Sequence, residues 1–209
     1  PSSLSRSNLN VDFTKSSIPL DDVLSGGPGK DGIPAITDPA FVRLEDSDVL
    51  DSVQVMYVVN GEEEKLYPYN ILVWHEIVND RIKGDAVVVT FCPLCGTGLV
   101  YDGNIGGKLH DFGVSGLLYN SDVLLYDRQT ESLWSQILSK AVTGSMKGRE
   151  LKTLPVSHTS WASWLKQHPN TQVLSTETGF GRNYDRSPYA GYGENEQIYF
   201  PVTKESRAY

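Results

Sequence analysis

The segment DAVVVTFCPLCGTG, residues 85–98, joins a dense run of β-branched residues to two cysteines that are separated by two residues. Valine and threonine favour pleated, buried strands, so residues 85–91 are predicted to form a central strand of a sheet. This strand leads directly into Cys92-Pro93-Leu94-Cys95-Gly96, which places both sulfur atoms at one end of the sheet. The same segment therefore indicates where the core lies and where chemistry is expected.

The flanking sequence predicts more short strands and a few short helices. Residues 53–59 and 65–69 have strand patterns on either side of Asn60-Gly61, a strong hairpin signal. Residues 69–79 and 157–168 space their apolar side chains as helices do. Together these patterns predict an α+β fold with a mostly antiparallel β-sheet core, a few short helices and a long N-terminal coil arm.

The chain of 209 residues is long enough for one large domain. Residues 1–40 are rich in glycine and proline and are predicted to form an extended arm, whereas residues 41–209 form a single globular domain. Two interpretations of the arm stay open. It packs on the surface of the domain, or its segment 30–34 shapes the rim of a functional site.

The charge distribution excludes several classes of partner. The net charge is −8, and the 18 lysines and arginines are scattered along the chain, so nucleic acid is not an expected partner. No apolar run approaches the roughly 20 residues that a membrane-spanning helix needs. The chain begins at Pro1 without an initiator methionine, so we expect a processed or trimmed start, for which a signal peptide and a lipid anchor are the two candidates for the missing part.

The two cysteines form a unit that can hold a soft metal ion. The sequence C-P-x-C-G resembles the knuckle of zinc ribbons and rubredoxins, but those proteins use two knuckles and this chain has one. Other ligands must therefore come from His, Asp, Glu or Met. His75, 17 positions upstream of Cys92, is the first candidate because a helix packed on the strand brings its ring close, and His110 is the second.

Two thiolates and one imidazole form a soft, three-coordinate set, for which one copper ion is favoured and zinc is the alternative. An open coordination position would suit a redox or catalytic role. The cysteines could also be a redox dithiol, a small disulfide or inert buried thiols. His75 could equally be a core histidine that donates to a carbonyl group.

A polar segment at residues 127–136 interrupts a series of strand-forming residues. It is either a turn with an ion pair and a half-buried tryptophan, or a polar shell that orients ligands or substrate. The side chains concerned are Asp127, Arg128, Trp134 and Gln136. Ser115, in Gly113-Val114-Ser115-Gly116, lacks the full spacing of a nucleophile elbow, which argues against a hydrolase triad.

Four segments carry a family resemblance. WHEIVND, VTFCPLCGTG, FGVSGLLYNSDVLLYDRQTESLWSQ and HPNTQVLSTETG resemble the bacterial and archaeal domain-of-unknown-function family numbered 3179, from about Lys30 to Tyr192. The resemblance implies an extracytoplasmic location, in the periplasm, at the cell surface or secreted. It also favours the metal-site interpretation, since its pattern falls on these residues: His75, Cys92, Cys95, Ser115, Asn120, Ser121, Asp127, Arg128, Trp134, Ser135 and Gln136.

Three hypotheses for the function follow. The first is an exported metal-binding protein with a site formed by His75, Cys92 and Cys95. The second is a thiol–disulfide oxidoreductase that uses Cys92 as its exposed thiol. The third is a non-enzymatic extracellular structural or assembly subunit, which self-associates through the aromatic tail that contains Tyr184 and Tyr199.

Overall fold

The computed structural model describes Leu4 and residues 7–47, 53–60, 63–165, 168, 170–194, 196 and 198–202. The predicted turn at Gly61 and the end of the predicted helix at residues 166 and 167 lie outside these residues.

The described part of the chain is built mainly of short strands, most of them paired antiparallel. Numbered along the chain, they are β1 (Val23–Ser25), β2 (Ile36–Thr37), β3 (Phe41–Arg43), β4 (Gln54–Asn60), β5 (Glu63–Pro68), β6 (Ile77–Ile82), β7 (Asp85–Cys92), β8 (Thr97–Asp102), β9 (Asn104–Ile105), β10 (Lys108–Leu109), β11 (Phe112–Tyr119), β12 (Asp122–Asp127), β13 (Leu133–Ser135), β14 (Lys140–Ala141), β15 (Thr153–Leu154), β16 (Ser157–Ser160) and β17 (Gln172–Leu174). The predicted antiparallel β-sheet core is therefore confirmed.

These strands form three five-stranded sheets. Their orders are β1-β11-β12-β13-β14, then β15-β8-β7-β6-β2, then β16-β4-β5-β17-β3, while β9 and β10 form a separate pair. Two of the strand pairs, β2 with β6 and β5 with β17, are parallel, so the second and third sheets are mixed.

The sheet that contains β7 is the middle layer. Val88 and Cys92 on one of its faces belong to a core shared with the sheet that contains β11. Val87, Val89 and Phe91 on the other face belong to a core shared with the sheet that contains β4. Because successive side chains of a strand point to opposite faces, a strand between two cores must be apolar at nearly every position, which explains the run in β7.

The two outermost sheet faces are covered by short segments of the chain. The side chains of Leu9, Phe13 and Ile18 pack on the outer face of the first sheet. They belong to the N-terminal arm, residues 1–40, which is called the lead-in from here on. On the outer face of the third sheet, Trp161 and Trp164 pack from the short helix Trp161–Leu165. Each buried aliphatic or aromatic side chain of these layers contributes roughly 1.5–3 kcal/mol to folding.

Both predicted helices are shorter than expected. Helix α1 spans Tyr69–His75 and ends because Glu76 adopts a left-handed conformation with φ of 59°, after which β6 begins. Helix α2 spans Trp161–Leu165, because Ser157–Ser160 instead pairs with β4 as strand β16. Within the described ranges, no helix combines the length and the apolarity that crossing a bilayer requires.

Candidate functional site

The two cysteines lie on the turn that connects β7 to β8. Cys92 is the last residue of β7 and pairs with Thr97, the first residue of β8. Gly96 turns the chain with a φ of 64°, a conformation that is cheap for glycine and costly for residues that carry a Cβ atom. The turn therefore aims both sulfur atoms at the same side of the hairpin.

A second hairpin turn meets the first. Asn120 and Ser121, with φ values of 53° and 62°, join β11 to β12 in the two-residue arrangement that matches the twist of the strands. Asp122 follows as the first residue of β12. The Cys92 Sγ atom lies 3.6 Å from the backbone oxygen of Ser121, so the turns from two different sheets are in direct contact.

The two turns gather three potential metal ligands. One ligand atom from each of Cys92, Cys95 and Asp122 lies within 4.8 Å of the other two. Cys92 and Asp122 are buried, Cys95 is half-buried, and both cysteines are free thiols. Within the described residues, this is the group of three or more His, Cys, Asp or Glu side chains with such geometry.

The two thiols differ in acidity. Interaction with the Cys92 thiol, aided by the Thr97 hydroxyl and opposed by burial, lowers the pKa of Cys95 to about 7. That same interaction, together with burial and the charge of Cys95, raises the pKa of Cys92 far above its ordinary value. Near neutral pH, Cys95 is therefore the thiol that ionises, whereas Cys92 stays protonated.

The carboxyl group of Asp122 is also perturbed. Burial raises its pKa to about 7, and the nearby charge of Cys95 acts in the same direction. The Ser135 hydroxyl opposes this shift by donating a hydrogen bond of 2.5 Å to an Asp122 oxygen. Among the described residues, no lysine, arginine or histidine forms an ion pair with Asp122, so the cluster gathers acidic groups without a basic partner.

The Thr97 hydroxyl group lies between Cys95 and Gln136 and contacts both side chains. The Thr97 Oγ1 atom lies 2.9 Å from the Cys95 sulfur and 2.7 Å from the Gln136 Oε1 atom. A threonine hydroxyl has one hydrogen, so it can donate to only one of these acceptors at a time. When Cys95 is a thiol it can donate to Thr97, whereas the Cys95 thiolate requires the Thr97 hydroxyl to turn toward it. Gln136 therefore lies one side chain away from the cysteines.

The contacts of His75 are those of the alternative given above, a core histidine that donates to a carbonyl group. Its Nδ1 atom donates to the Pro34 backbone oxygen at 2.7 Å, since a carbonyl can only accept, and its Nε2 atom lies 2.7 Å from the Tyr184 hydroxyl. Burial lowers the pKa of the imidazole, which is therefore neutral. Metal binding by His75 would break at least one of these two hydrogen bonds, and Asp122 takes its place beside the cysteines.

Three of the other predicted residues, His110, Asp127 and Trp134, form a separate, buried network. The Asp127 carboxylate accepts hydrogen bonds from Trp134 Nε1 at 2.9 Å and Thr130 Oγ1 at 2.7 Å, and His110 Nδ1 lies 3.3 Å away. These contacts of the Asp127 carboxylate stabilise the turn that follows β12. This geometry is that of a structural turn, although Trp134 is fully buried and not half-buried as that alternative expected.

Arg128 and Ser115 also have structural contacts. Arg128 forms a two-pronged ion pair with Asp31 of the lead-in, with distances of 2.9 and 3.1 Å. Ser115 is buried, donates to the Leu124 backbone oxygen, and accepts from the Leu117 backbone N–H at the irregularity of β11. Neither side chain belongs to the cysteine cluster.

One expectation about the cysteines is wrong. Cys92 was expected to be the exposed thiol of an oxidoreductase, but its exposure is 0%, and Cys95 is the accessible residue. The reason is that Cys92 still belongs to β7, whose side chains at this end are buried on both faces.

Sequence reasoning missed Asp122 and Glu76. Asp122 is the first residue of β12 and directly precedes four apolar or aromatic residues, VLLY. A carboxylate at the start of such a run was the available sequence signal. Glu76 follows His75 directly and is buried, with its pKa raised to about 8 by burial and then by the charge of Cys95. Its place inside the predicted helix of residues 69–79 gave no sign of this burial.

The comparisons with known proteins identify a family. A family model described as protein of unknown function, DUF3179, matches residues 30–209. No curated protein and no solved structure matches the chain. The match covers both hairpin turns, all three residues of the cluster and both missed carboxyl groups. The chain therefore belongs to the DUF3179 family.

Proposed function

We propose that the protein binds one thiophilic divalent metal ion, with zinc preferred, through Cys92, Cys95 and Asp122. The observation that carries the proposal is the mutual distance of at most 4.8 Å among their three ligand atoms. Zn–S bonds of about 2.3 Å in a tetrahedral site require sulfur atoms roughly 3.8 Å apart. Small side-chain adjustments therefore suffice to close the three groups around an ion.

The charge of the cluster supports a cation. Full ionisation of the three groups would place three negative charges in a largely buried space, and burial already raises the pKa of Asp122. A divalent ion compensates this charge and holds the thiols as thiolates. The Ser135 hydroxyl then orients the carboxylate as an outer hydrogen-bond partner of the metal.

The donor set decides between zinc and copper. Copper was favoured on the assumption that an imidazole completes two thiolates, but the third donor in the cluster is a carboxylate. Carboxylate is a harder ligand, and zinc accepts sulfur and oxygen donors together. Copper(I), which the two thiolates could hold without Asp122, is the alternative that the experiments below distinguish.

A site with three protein ligands keeps one coordination position free. Zinc sites of this kind are typically catalytic, because the fourth position takes water or a substrate. Cys95 is half-buried, which gives that position a route to solvent. We therefore infer a zinc site with a free coordination position, as in catalytic zinc sites, rather than a structural site with four protein ligands.

Elemental analysis of the reduced protein, followed by titration with Co(II) as a spectroscopic substitute, tests the proposal. The expected result is one ion per chain, with thiolate-to-cobalt absorption that disappears in Cys95→Ser. An absence of metal from the reduced wild type, in both measurements, would contradict it.

Thiol–disulfide exchange is a second candidate, favoured by the lowered pKa of about 7 for the accessible Cys95. The Cys95 thiolate attacks a substrate disulfide and expels one substrate sulfur as a thiolate. Cys92, after passing its proton to the Asp122 carboxylate, attacks the mixed disulfide and expels the second sulfur. The product is a Cys92–Cys95 disulfide, and two electrons have passed to the substrate.

Mixing the reduced, metal-free protein with oxidised glutathione tests the second candidate. Exchange predicts a Cys92–Cys95 disulfide after a transient glutathione adduct on Cys95. A persistent adduct without a protein disulfide, or no reaction at all, argues against it.

A further inference from the structure

A cavity next to the cysteine turn is a feature that metal binding does not use. Its volume is about 260 Å³, slightly below the roughly 300–1,000 Å³ that is usual for sites of drug-sized ligands. Its walls come from the turn after β7, from β11 and β12, and from the C-terminal segment. They are mostly apolar, and include Leu94, Val114, Leu118, Val123 and Phe200.

Glu76 is the one carboxylic acid among the described residues that line this cavity. Its side chain is 5% exposed, and no lysine, arginine or histidine in the described part of the chain forms an ion pair with its carboxyl group. A buried carboxyl group without a cationic partner is more stable in its neutral form, in which it can donate a hydrogen bond to a ligand in the cavity.

The backbone of Glu76 gives an independent reason to examine this residue. It ends helix α1 with a φ of 59°, a position where glycine is the usual residue because it carries no Cβ atom. The backbone of a glutamate is strained in this conformation, whereas that of a glycine would not be. A functional use of the carboxyl group would explain why a glutamate, rather than a glycine, occupies this position at the end of helix α1.

The protonation state of Glu76 sets the kind of ligand. Burial, aided by the charge of Cys95, raises its pKa to about 8, so at neutral pH the group is mainly a neutral acid and a hydrogen-bond donor. The titratable groups near it are Cys95 and Tyr189. Among the described residues that line the cavity, no lysine, arginine or histidine would compensate an anionic ligand, and a cationic ligand would lack an ionised partner at Glu76.

From this geometry we infer that the cavity binds a small, uncharged, mainly apolar molecule whose hydrogen-bond acceptor, such as a ketone oxygen, accepts a hydrogen bond from the Glu76 carboxylic acid. Tyr189 and Tyr199 form the aromatic side of the cavity, and Tyr199 is exposed, which leaves an entrance. Ligand binding in the cavity does not require a bound metal ion. An experiment on the metal-free protein can therefore refute it without refuting metal binding by the cysteine cluster.

Acetophenone and ethylbenzene are suitable probes because they have similar size and differ in the carbonyl group. Dissociation constants for the full, reduced, metal-free chain can be measured by ligand-observed NMR at pH 6.5. Saturable binding of acetophenone to the wild type, with a dissociation constant of about millimolar or tighter, is expected for a ligand of this size.

Two variants isolate the hydrogen bond. In Glu76→Leu, the affinity ratio of acetophenone to ethylbenzene should fall about tenfold, a loss typical of one hydrogen bond between buried groups. In Glu76→Gln, whose amide still donates and which preserves the size of the side chain, the ratio should change less than about threefold.

Three results would overturn the inference. They are an absence of saturable acetophenone binding to the wild type, an unchanged ratio in Glu76→Leu, and a ratio in Glu76→Gln that falls as far as in Glu76→Leu. A common fold, checked by circular dichroism, makes the two variants comparable. If Glu76→Leu does not fold, the wild type still decides, because acetophenone that binds no more tightly than ethylbenzene would overturn the inference.

Discussion

The Cys92 sulfur atom lies 3.6 Å from the backbone oxygen of Ser121, and this contact joins two hairpins of different sheets. Asp122 enters the cysteine cluster only because the turn at Asn120 and Ser121 rests against the turn that carries the cysteines. The site is therefore a product of how two sheets pack, and each hairpin alone supplies only part of it.

The first prediction concerns thiol reactivity. In the reduced, metal-free protein, Cys95 should react with iodoacetamide at a rate that rises with pH through about 7, because the thiolate is the reacting species. Cys92, which is fully buried, should react only after unfolding. Mass spectrometry of the alkylated peptide assigns each sulfur. Faster labelling of Cys92 than of Cys95 in the folded protein would refute this ordering.

The second prediction identifies the cause of the lowered pKa of Cys95. Interaction with the Cys92 thiol is the largest contribution, so Cys92→Ala should raise the midpoint of the alkylation profile clearly above that of the wild type. Thr97→Val, which removes the second donor, should raise it by less. An unchanged midpoint in Cys92→Ala would show that the acidity of Cys95 has another origin.

The third prediction follows from the raised pKa of Glu76. Its ordinary value is 4.5 and its folded value is about 8, so between these pH values the unfolded chain releases a proton that the folded protein retains. The free energy of unfolding therefore falls as the pH rises through this window, by an amount on the order of a few kcal/mol, and the loss is complete above the folded value. Glu76→Gln should be more stable than the wild type at pH 8.5, and this gain should vanish toward pH 4.5.

Urea denaturation at a series of pH values measures this difference for the metal-free protein. Glu177→Gln, at an exposed glutamate, is the matched control and should follow the wild type. A stability difference between Glu76→Gln and the wild type that does not vary with pH would contradict the prediction.

The fourth prediction tests the close packing beside the cavity. A Cβ atom on Gly116, which has a φ of 76°, would lie 2.0 Å from the Pro28 backbone oxygen, so Gly116→Ala must displace the lead-in or β11. We expect it to lower the free energy of unfolding by about 3 kcal/mol or more. Gly106 also has a positive φ, of 62°, but open space around it. Gly106→Ala should therefore cost only about 1 kcal/mol, and equal losses in the two variants would disprove the proposed contact.

Local sequence patterns were sufficient for the strands around the cysteines. The β-branched run of β7 and the glycine at position 96 are short-range signals, and they predicted a buried strand followed by a turn. The helix ends were harder to predict, because Glu76 leaves the helix in a conformation that its residue type does not favour. Ser157–Ser160 similarly pairs with a strand about a hundred positions earlier, and this pairing overrides its local preference.

The third side chain of the cluster could not be predicted from sequence spacing. His75 precedes the cysteine strand in the sequence, but its ring is held by Pro34 and by Tyr184, which lies 109 positions away. Asp122 meets the cysteines through contact between two sheets, and no periodicity within either segment encodes that contact. The cysteine pair was thus predictable from residue type, whereas its partner depended on tertiary packing.

The most direct test of the account is the zinc affinity of the reduced wild type compared with Asp122→Asn and His75→Gln, measured by competition with a chromophoric chelator. If Asp122 is the third ligand, Asp122→Asn should weaken binding by about tenfold or more, and His75→Gln should stay within about threefold of the wild type. Loss of zinc in His75→Gln with full retention in Asp122→Asn would contradict the proposed site and would restore the histidine as the third ligand.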